Sequence, residues 1–297
     1  MNAASTAVNV WPFDIGIVGL GIVGVHQITR EAEEVIRRSK QTFVIESGFG
    51  VTDYLRTLCP KVKSLGGLYE KGKSRLPTYR KMAAEVVSAA LKDTPVCLAA
   101  YGHPWVYCYP TTLITRAAKL LNLHVEVFAG VSSFDTLLVD LGTDVAFDGI
   151  QMYEATDVLL RRRPIQTDVA CILWQTTIVE DPTYPDKKPE VGQFKPLQNY
   201  LLKFYPPTHV VSLVTTKTFP LLRSQVQRFR LDRLALELQR APPVGTLYIP
   251  PAHSRPISDR DLLRRMLSMQ DVPKPKEARS IRPGRPPIGP KGGRKTR

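Results

Sequence analysis

Three stretches of this 297-residue chain combine residue types that can approach or hold a small ligand. They are Gly19-Leu20-Gly21-Ile22-Val23-Gly24, Tyr101-Gly102-His103-Pro104-Trp105-Val106-Tyr107 and Gly130-Val131-Ser132-Ser133. The first fits G-x-G-x-x-G, follows an apolar strand and precedes helical sequence. Glu46 ends the next strand, where a carboxylate could hold a ribose. That is the context in which such glycines cradle a dinucleotide. The same glycines also suit a tight strand-to-helix turn without a ligand. In the other two stretches Gly102 and Gly130 permit close backbone approach. His103, Ser132 and Ser133 supply polar contacts, and His103 also reads as a capping residue. Ligands of open α/β sheets sit at the carboxyl ends of strands, so three such ends predict a cleft.

The elements that must carry these stretches alternate. Strands are expected at Phe13–Val18, Thr42–Glu46, Val96–Ala100 and Val125–Phe128. Helices are expected at Thr29–Arg38, Pro77–Leu91, Thr112–Leu121 and Phe134–Leu141, with Pro77 opening its helix. Beyond Gly149 come a helix at Asp157–Arg162, a strand at Ala170–Gln175 and a polar, proline-rich loop over Asp181–Pro196. Then follow helix Leu197–Phe204, strand Val210–Thr215, helix Leu231–Gln239 and strand Thr246–Ile249. Ser258 is placed to cap a last helix. This rhythm predicts an α/β chain with a largely parallel sheet. The expected divisions are an extension at 1–12, an α/β domain at 13–145, a second at 146–252, a helix within 253–270 and a basic tail at 271–297.

Composition narrows the function classes. Hydrophobic residues are 43% of the chain, a globular value. No apolar run suffices to cross a bilayer, and Met1–Pro12 lacks the regions of a secretory signal, so no membrane and a cytoplasmic setting are expected. Cys59, Cys97, Cys108 and Cys171 form no CxxC pair, and the five histidines form no HExxH, so no metal is expected. Cys97 and Cys171 lie in apolar runs and read as core thiols. The net charge is +14, and nine Lys or Arg against two acidic residues in 271–297 carry half of it. That tail is read as a solvated solubility segment in preference to an arm for RNA.

Taken in order, IVGLG, GHPWVY and AGVSS resemble the tetrapyrrole methylase superfamily. More narrowly, the chain resembles its borosin-type peptide backbone N-methyltransferases. Tyr101-Gly102-His103-Pro104 carries that likeness, with Arg75-Leu76-Pro77-Thr78-Tyr79, Tyr153-Glu154-Ala155-Thr156, Leu173-Trp174-Gln175 and Thr246–Pro251. The likeness runs from about residue 13 to 252. It departs at Trp105, where the branch usually has Gly, and at Ala129, which replaces the usual Pro. The resemblance implies two α/β domains with S-adenosylmethionine in a cleft between them. It implies cofactor contacts from Gly19, Gly21, Tyr101, His103, Val106, Tyr107, Ser132, Ser133, Gln175 and Thr246. For Val106 and Tyr107, core packing is an equal reading.

A peptide amide nitrogen is a poor nucleophile because its lone pair is delocalised into the carbonyl. The resemblance implies Tyr79 as the base, with Arg75, Tyr69 and Tyr101 stabilising the imidate oxygen. A tyrosine titrates near about 10, so an adjacent cation such as Arg75 would help it ionise. Arg75 is expected just before its helix, because Pro77 disfavours helix at Leu76. Read without the resemblance, Arg75 belongs to a solvated basic loop and Tyr79 to the half-buried core. Ser280–Arg297 holds only two aliphatic residues, Ile281 and Ile288, unlike the Val/Ile-rich peptides fused to such enzymes. A peptide substrate in trans is therefore expected, and the resemblance implies a homodimer. The alternatives are a methyltransferase of the same fold acting on RNA, a tetrapyrrole or another small molecule, an NAD(P)-binding oxidoreductase, or a non-catalytic partner.

Overall fold

A computed structural model describes residues 13–45 and 48–268. The first sheet contains β1 (Ile15–Gly19), β2 (Gln41–Ile45), β3 (Val62–Ser64), β4 (Val96–Ala100) and β5 (Val125–Phe128). All pairings are parallel, in the order β3-β2-β4-β1-β5. Every residue of β1 and β4 is buried, which explains their continuous apolar sequence. Helices α1 (Arg30–Arg38), α2 (Val51–Leu58), α3 (Arg75–Ala90), α4 (Tyr109–Leu120) and α5 (Ser133–Leu141) follow in chain order. The Thr29 hydroxyl caps α1 by accepting the Ala32 N–H.

Two boundaries correct the sequence reading. Helix α3 begins at Arg75, so Pro77 is its third residue and Arg75 its first. Amides of the first helical turn have no intrahelical acceptor, so a proline there forfeits no bond. Helix α4 likewise begins at Tyr109, with Pro110 in its first turn, and not at Thr112.

The short α6 (Val145–Asp148) leads into a second sheet of β6 (Ile150–Glu154), β7 (Ala170–Trp174), β8 (Val210–Thr215), β9 (Gln225–Arg230) and β10 (Thr246–Ile249). Their order is β6-β7-β10-β8-β9. Only β6 and β7 are parallel; β10 runs antiparallel to both β7 and β8. Helices α7 (Ala155–Arg161), α8 (Val191–Leu201) and α9 (Leu234–Arg240) pack on one face through Val158, Phe194, Leu197 and Leu238. The other face receives Leu137 of α5, against Ile172, Trp174 and Val214. Helix α8 starts five residues before the expected loop ends and includes Pro196. Burial of Phe194, Leu197 and Leu201 offsets the bond lost at that proline.

Cys97 and Cys171 are fully buried, as their apolar strands indicated, and burial pushes the Cys171 thiol up to about 12. The described residues up to Ser254 form one compact unit. From Arg255 a separate unit carries α10 (Arg260–Ser268). Asp259, not Ser258, caps α10, its carboxylate accepting the Leu262 N–H at 2.7 Å. Among the described residues no helix is long and apolar enough to cross a membrane. The expected extension at 1–12 and tail at 271–297 lie outside the described residues.

Candidate active site

The three glycine-bearing strand ends meet backbone to backbone. A Cβ on Gly19 would stand 2.5 Å from the Gly102 carbonyl oxygen and 2.7 Å from the Gly130 Cα. Gly102 donates its N–H to the Gly21 carbonyl at 2.9 Å, and both residues have positive φ. In the glycine loop, the Gln27 Oε1 accepts the N–H groups of Ile22 at 2.7 Å and Val23 at 2.9 Å. A dinucleotide fold leaves such amides for a pyrophosphate. Here a side chain of the same chain takes them, and a 3-10 turn at Gly24–Gln27 stands before α1. Glu46, the expected ribose partner, lies outside the described residues. Gln27→Leu should leave both buried amides unsatisfied and cost about 1–3 kcal/mol of stability. Chemical denaturation compared with wild type measures this; an unchanged midpoint would remove Gln27 from the account.

Beyond the glycine junction opens a cavity of about 380 Å³. The loop from β4 to α4 supplies Tyr101, His103, Val106 and Tyr107, and the first residue of α5 supplies Ser133. The second sheet supplies Trp174 and Gln175 from the end of β7, Thr216 from beyond β8, and Thr246 from the start of β10. Seven expected cofactor residues therefore face one space: Tyr101, His103, Val106, Tyr107, Ser133, Gln175 and Thr246. Gly19, Gly21 and Ser132 do not line it. The glycines serve the backbone junction, and Ser132 forms a capping box with Asp135 at the start of α5. The His103 Nδ1 accepts the Trp105 N–H at 3.1 Å, so this histidine does cap its own turn. Thr216 and Thr218 were missed, although the strand-end rule applied to β8 would have found Thr216.

Tyr107 and Gln175 hold positive φ values of 55° and 57° without being glycine. Such backbone is costly and concentrates at functional sites. Burial, with the nearby Glu154 and Asp157 carboxylates, pushes the Tyr107 hydroxyl up to about 12. Burial also raises Tyr101. Both therefore stay protonated at neutral pH and can donate hydrogen bonds.

A second cavity of about 500 Å³ abuts the first, with Tyr79, Tyr107, Cys108 and Gln175 common to both. Its other walls include Arg75, Leu76, Trp105 and Pro182. Trp105 is 54% exposed and faces only this outer space. Tyr79 makes edge-to-face contacts with Tyr69 and Tyr109, each at 6.2 Å between ring centroids. Tyr69 lines the inner cavity and stacks on Tyr184 at 4.8 Å. The Arg75 Nη2 donates to the Asp181 carbonyl at 2.7 Å. Tyr69, Tyr79 and Tyr101 thus share the inner cavity, while Arg75 lies on the outer wall.

The sequence profile of the tetrapyrrole (corrin/porphyrin) methylases matches residues 14–184, and the chain belongs to that family, whose class is the S-adenosylmethionine-dependent methyltransferases. The oxidoreductase alternative is thereby corrected. Uroporphyrin-III C-methyltransferase from Thermus thermophilus, complexed with S-adenosylhomocysteine, has the same fold: TM-score 0.56 at 14% identity, over 80% of this chain and 96% of that one. The methyltransferase CobJ gives 0.55 at 12% identity, over 82% and 96%. Among curated relatives, the methyltransferase and gymnopeptide precursor of Gymnopus fusipes is 28% identical over 86% of this chain and 62% of its own. The methyltransferase and omphalotin A precursor of Omphalotus olearius is 29% identical over 84% and 60%. The chain spans about three-fifths of the length of these two relatives.

Proposed function

We propose that this chain transfers methyl groups from S-adenosylmethionine to backbone amide nitrogens of a separate peptide. The observation that carries this reading is the place of Tyr79, on the boundary between the inner and outer cavities. A base there faces a methyl donor on one side and an acceptor on the other. The inner cavity suits the cofactor: its volume lies in the range of ligand pockets, and Ile22, Val106 and Trp174 combine there with Ser133, Gln175 and Thr246. Bound there, S-adenosylmethionine supplies an activated methyl group.

The chain's own residues then have three tasks. Tyr79 accepts the amide proton. Tyr69 and Tyr101 donate hydrogen bonds toward the developing imidate oxygen. Arg75 spends Nε and Nη2 on the carbonyls of Pro182 and Asp181, which leaves Nη1 for that oxygen. The peptide-precursor character of the relatives supports a peptide acceptor. A homodimer and a cytoplasmic setting belong to the same proposal.

Calorimetric titration with S-adenosylhomocysteine, with NADH in parallel, tests the cofactor. Binding of the first alone is expected, and binding of NADH alone sinks the reading. Incubation with S-adenosylmethionine and a synthetic Val/Ile-rich peptide, followed by mass spectrometry, tests the acceptor. Methyl masses located on backbone nitrogens are expected; methyl groups on side chains only would overturn the amide assignment.

A further inference from the structure

We propose that Glu180–Tyr184 is a strap that positions Tyr69 and Arg75, and that Tyr184 is its positioning residue. The inference rests on the reading of Tyr69 and Arg75 as site residues. The segment that needs positioning is Lys71–Ser74, which joins the 3-10 turn at Gly66–Leu68 to α3. All four of its residues are exposed, and Gly72 has a positive φ, so no core contact fixes its path. Tyr69 and Arg75 flank it.

The strap, in the loop between β7 and α8, fixes that path. Arg75 donates its backbone N–H to the Pro182 carbonyl at 3.0 Å. Tyr184 donates to the Lys73 carbonyl at 2.9 Å and accepts from the Gly72 N–H at 2.8 Å. The Arg75 side chain adds its bond to the Asp181 carbonyl, and the Tyr184 ring lies on Tyr69 with only 23° between the planes. Both flanking site residues are therefore gripped by five consecutive residues distant in sequence.

The strap is itself braced. Its root, Glu180, sits in left-handed backbone at φ 63° and donates its N–H to the Thr156 hydroxyl at 3.1 Å. The Val179 carbonyl accepts from the Gln193 side chain at 2.9 Å. The Asp181 Oδ1 accepts the Thr183 N–H at 2.8 Å and its hydroxyl at 2.6 Å, which closes the turn. This gives Tyr153-Glu154-Ala155-Thr156 a physical role. Glu154 caps α7, Ala155 is buried, and Thr156 holds the strap's root. A loop with left-handed backbone, an internal carboxylate brace and a stacked ring is built to hold one shape, and Tyr184 transmits that shape to Tyr69.

The test uses the full chain labelled with 3-fluorotyrosine, with the Tyr69 fluorine resonance assigned by Tyr69→Phe. In Tyr184→Ala the Tyr69 resonance should move or broaden, while Tyr184→Phe, which keeps the stack, should leave it in place. Thr156→Val, which touches neither cavity, should reproduce part of the change. With the Val/Ile-rich peptide, Tyr184→Ala should lower kcat about ten- to a hundredfold with little change in KM, as expected for misplaced reacting groups, and Tyr184→Phe should restore it. An unmoved Tyr69 resonance in Tyr184→Ala overturns the proposal, as does a Phe variant as impaired as the Ala variant. If S-adenosylhomocysteine does not bind and no methyl is transferred, the enzymatic reading fails, and the fluorine spectrum still decides the strap.

Discussion

Tyr79→Phe should lower methyl transfer to the peptide by about 10²–10⁴-fold, the usual contribution of a positioned general base. The substitution deletes one oxygen and keeps the ring. The edge-to-face contacts with Tyr69 and Tyr109 survive it, so the fold should lose little. S-adenosylhomocysteine affinity should also hold, because the proposed cofactor contacts come mainly from the strand ends around Tyr101, Ser133, Gln175 and Thr246, which line the inner cavity. The loss should therefore fall on kcat and leave KM nearly unchanged. Single-turnover mass spectrometry measures it. A Tyr79→Phe enzyme that retains most of its activity, beside a Tyr69→Phe enzyme that does not, would move the base assignment to Tyr69.

Gly19→Ala should be far more damaging than Gly24→Ala in the same G-x-G-x-x-G stretch. Its methyl group would meet the Gly102 oxygen and the Gly130 Cα and nitrogen, all backbone atoms that no rotamer change can move aside. Overpacking of this kind costs about 1–3 kcal/mol or more. It should also displace the Gly102-His103 turn and weaken S-adenosylhomocysteine binding. Gly24→Ala is the contrast: nothing lies within 4 Å of the added carbon, and only the positive φ of 61° opposes it. Thermal unfolding and calorimetry of the two variants give the comparison. A larger penalty at Gly24 would refute the close-packing account.

The sequence disclosed the first sheet well because its central strands are buried on both faces and therefore apolar throughout. β9 was missed for the opposite reason: Gln225–Arg230 is an edge strand with only Phe229 buried, so it reads as polar loop. β6, another edge strand, and the short β3 escaped in the same way. Helix α8 was misjudged because Pro196 signals a stop locally, while burial of Phe194, Leu197 and Leu201 outweighs it.

Of the site, strand ends carrying glycine and polar residues pointed to the inner cavity. What escaped is what only tertiary contact creates. The glycine stretch looked like a dinucleotide fingerprint because nothing in its spacing reveals that Gln27 fills the loop's donors. Arg75 looked like a free loop cation, because the carbonyls that hold it come from more than 100 residues downstream. Tyr184 carried no signal at all, since a tyrosine in a proline-rich loop announces neither a stack nor a brace.

Among the described residues β10 is the last strand in chain order, and it is the middle strand of its sheet. Until Thr246–Ile249 is made, β7 and β8 have no hydrogen-bonding partner between them, and each presents a bare edge. A nascent chain can already hold the first sheet, the glycine junction and all four proposed catalytic residues. It lacks Thr246 and the β-ladder that sets the ends of β7 and β8 at the cavity. Competence should thus arrive abruptly, once Thr246–Ile249 has been made, and the waiting edges make the unfinished chain a natural client for chaperones.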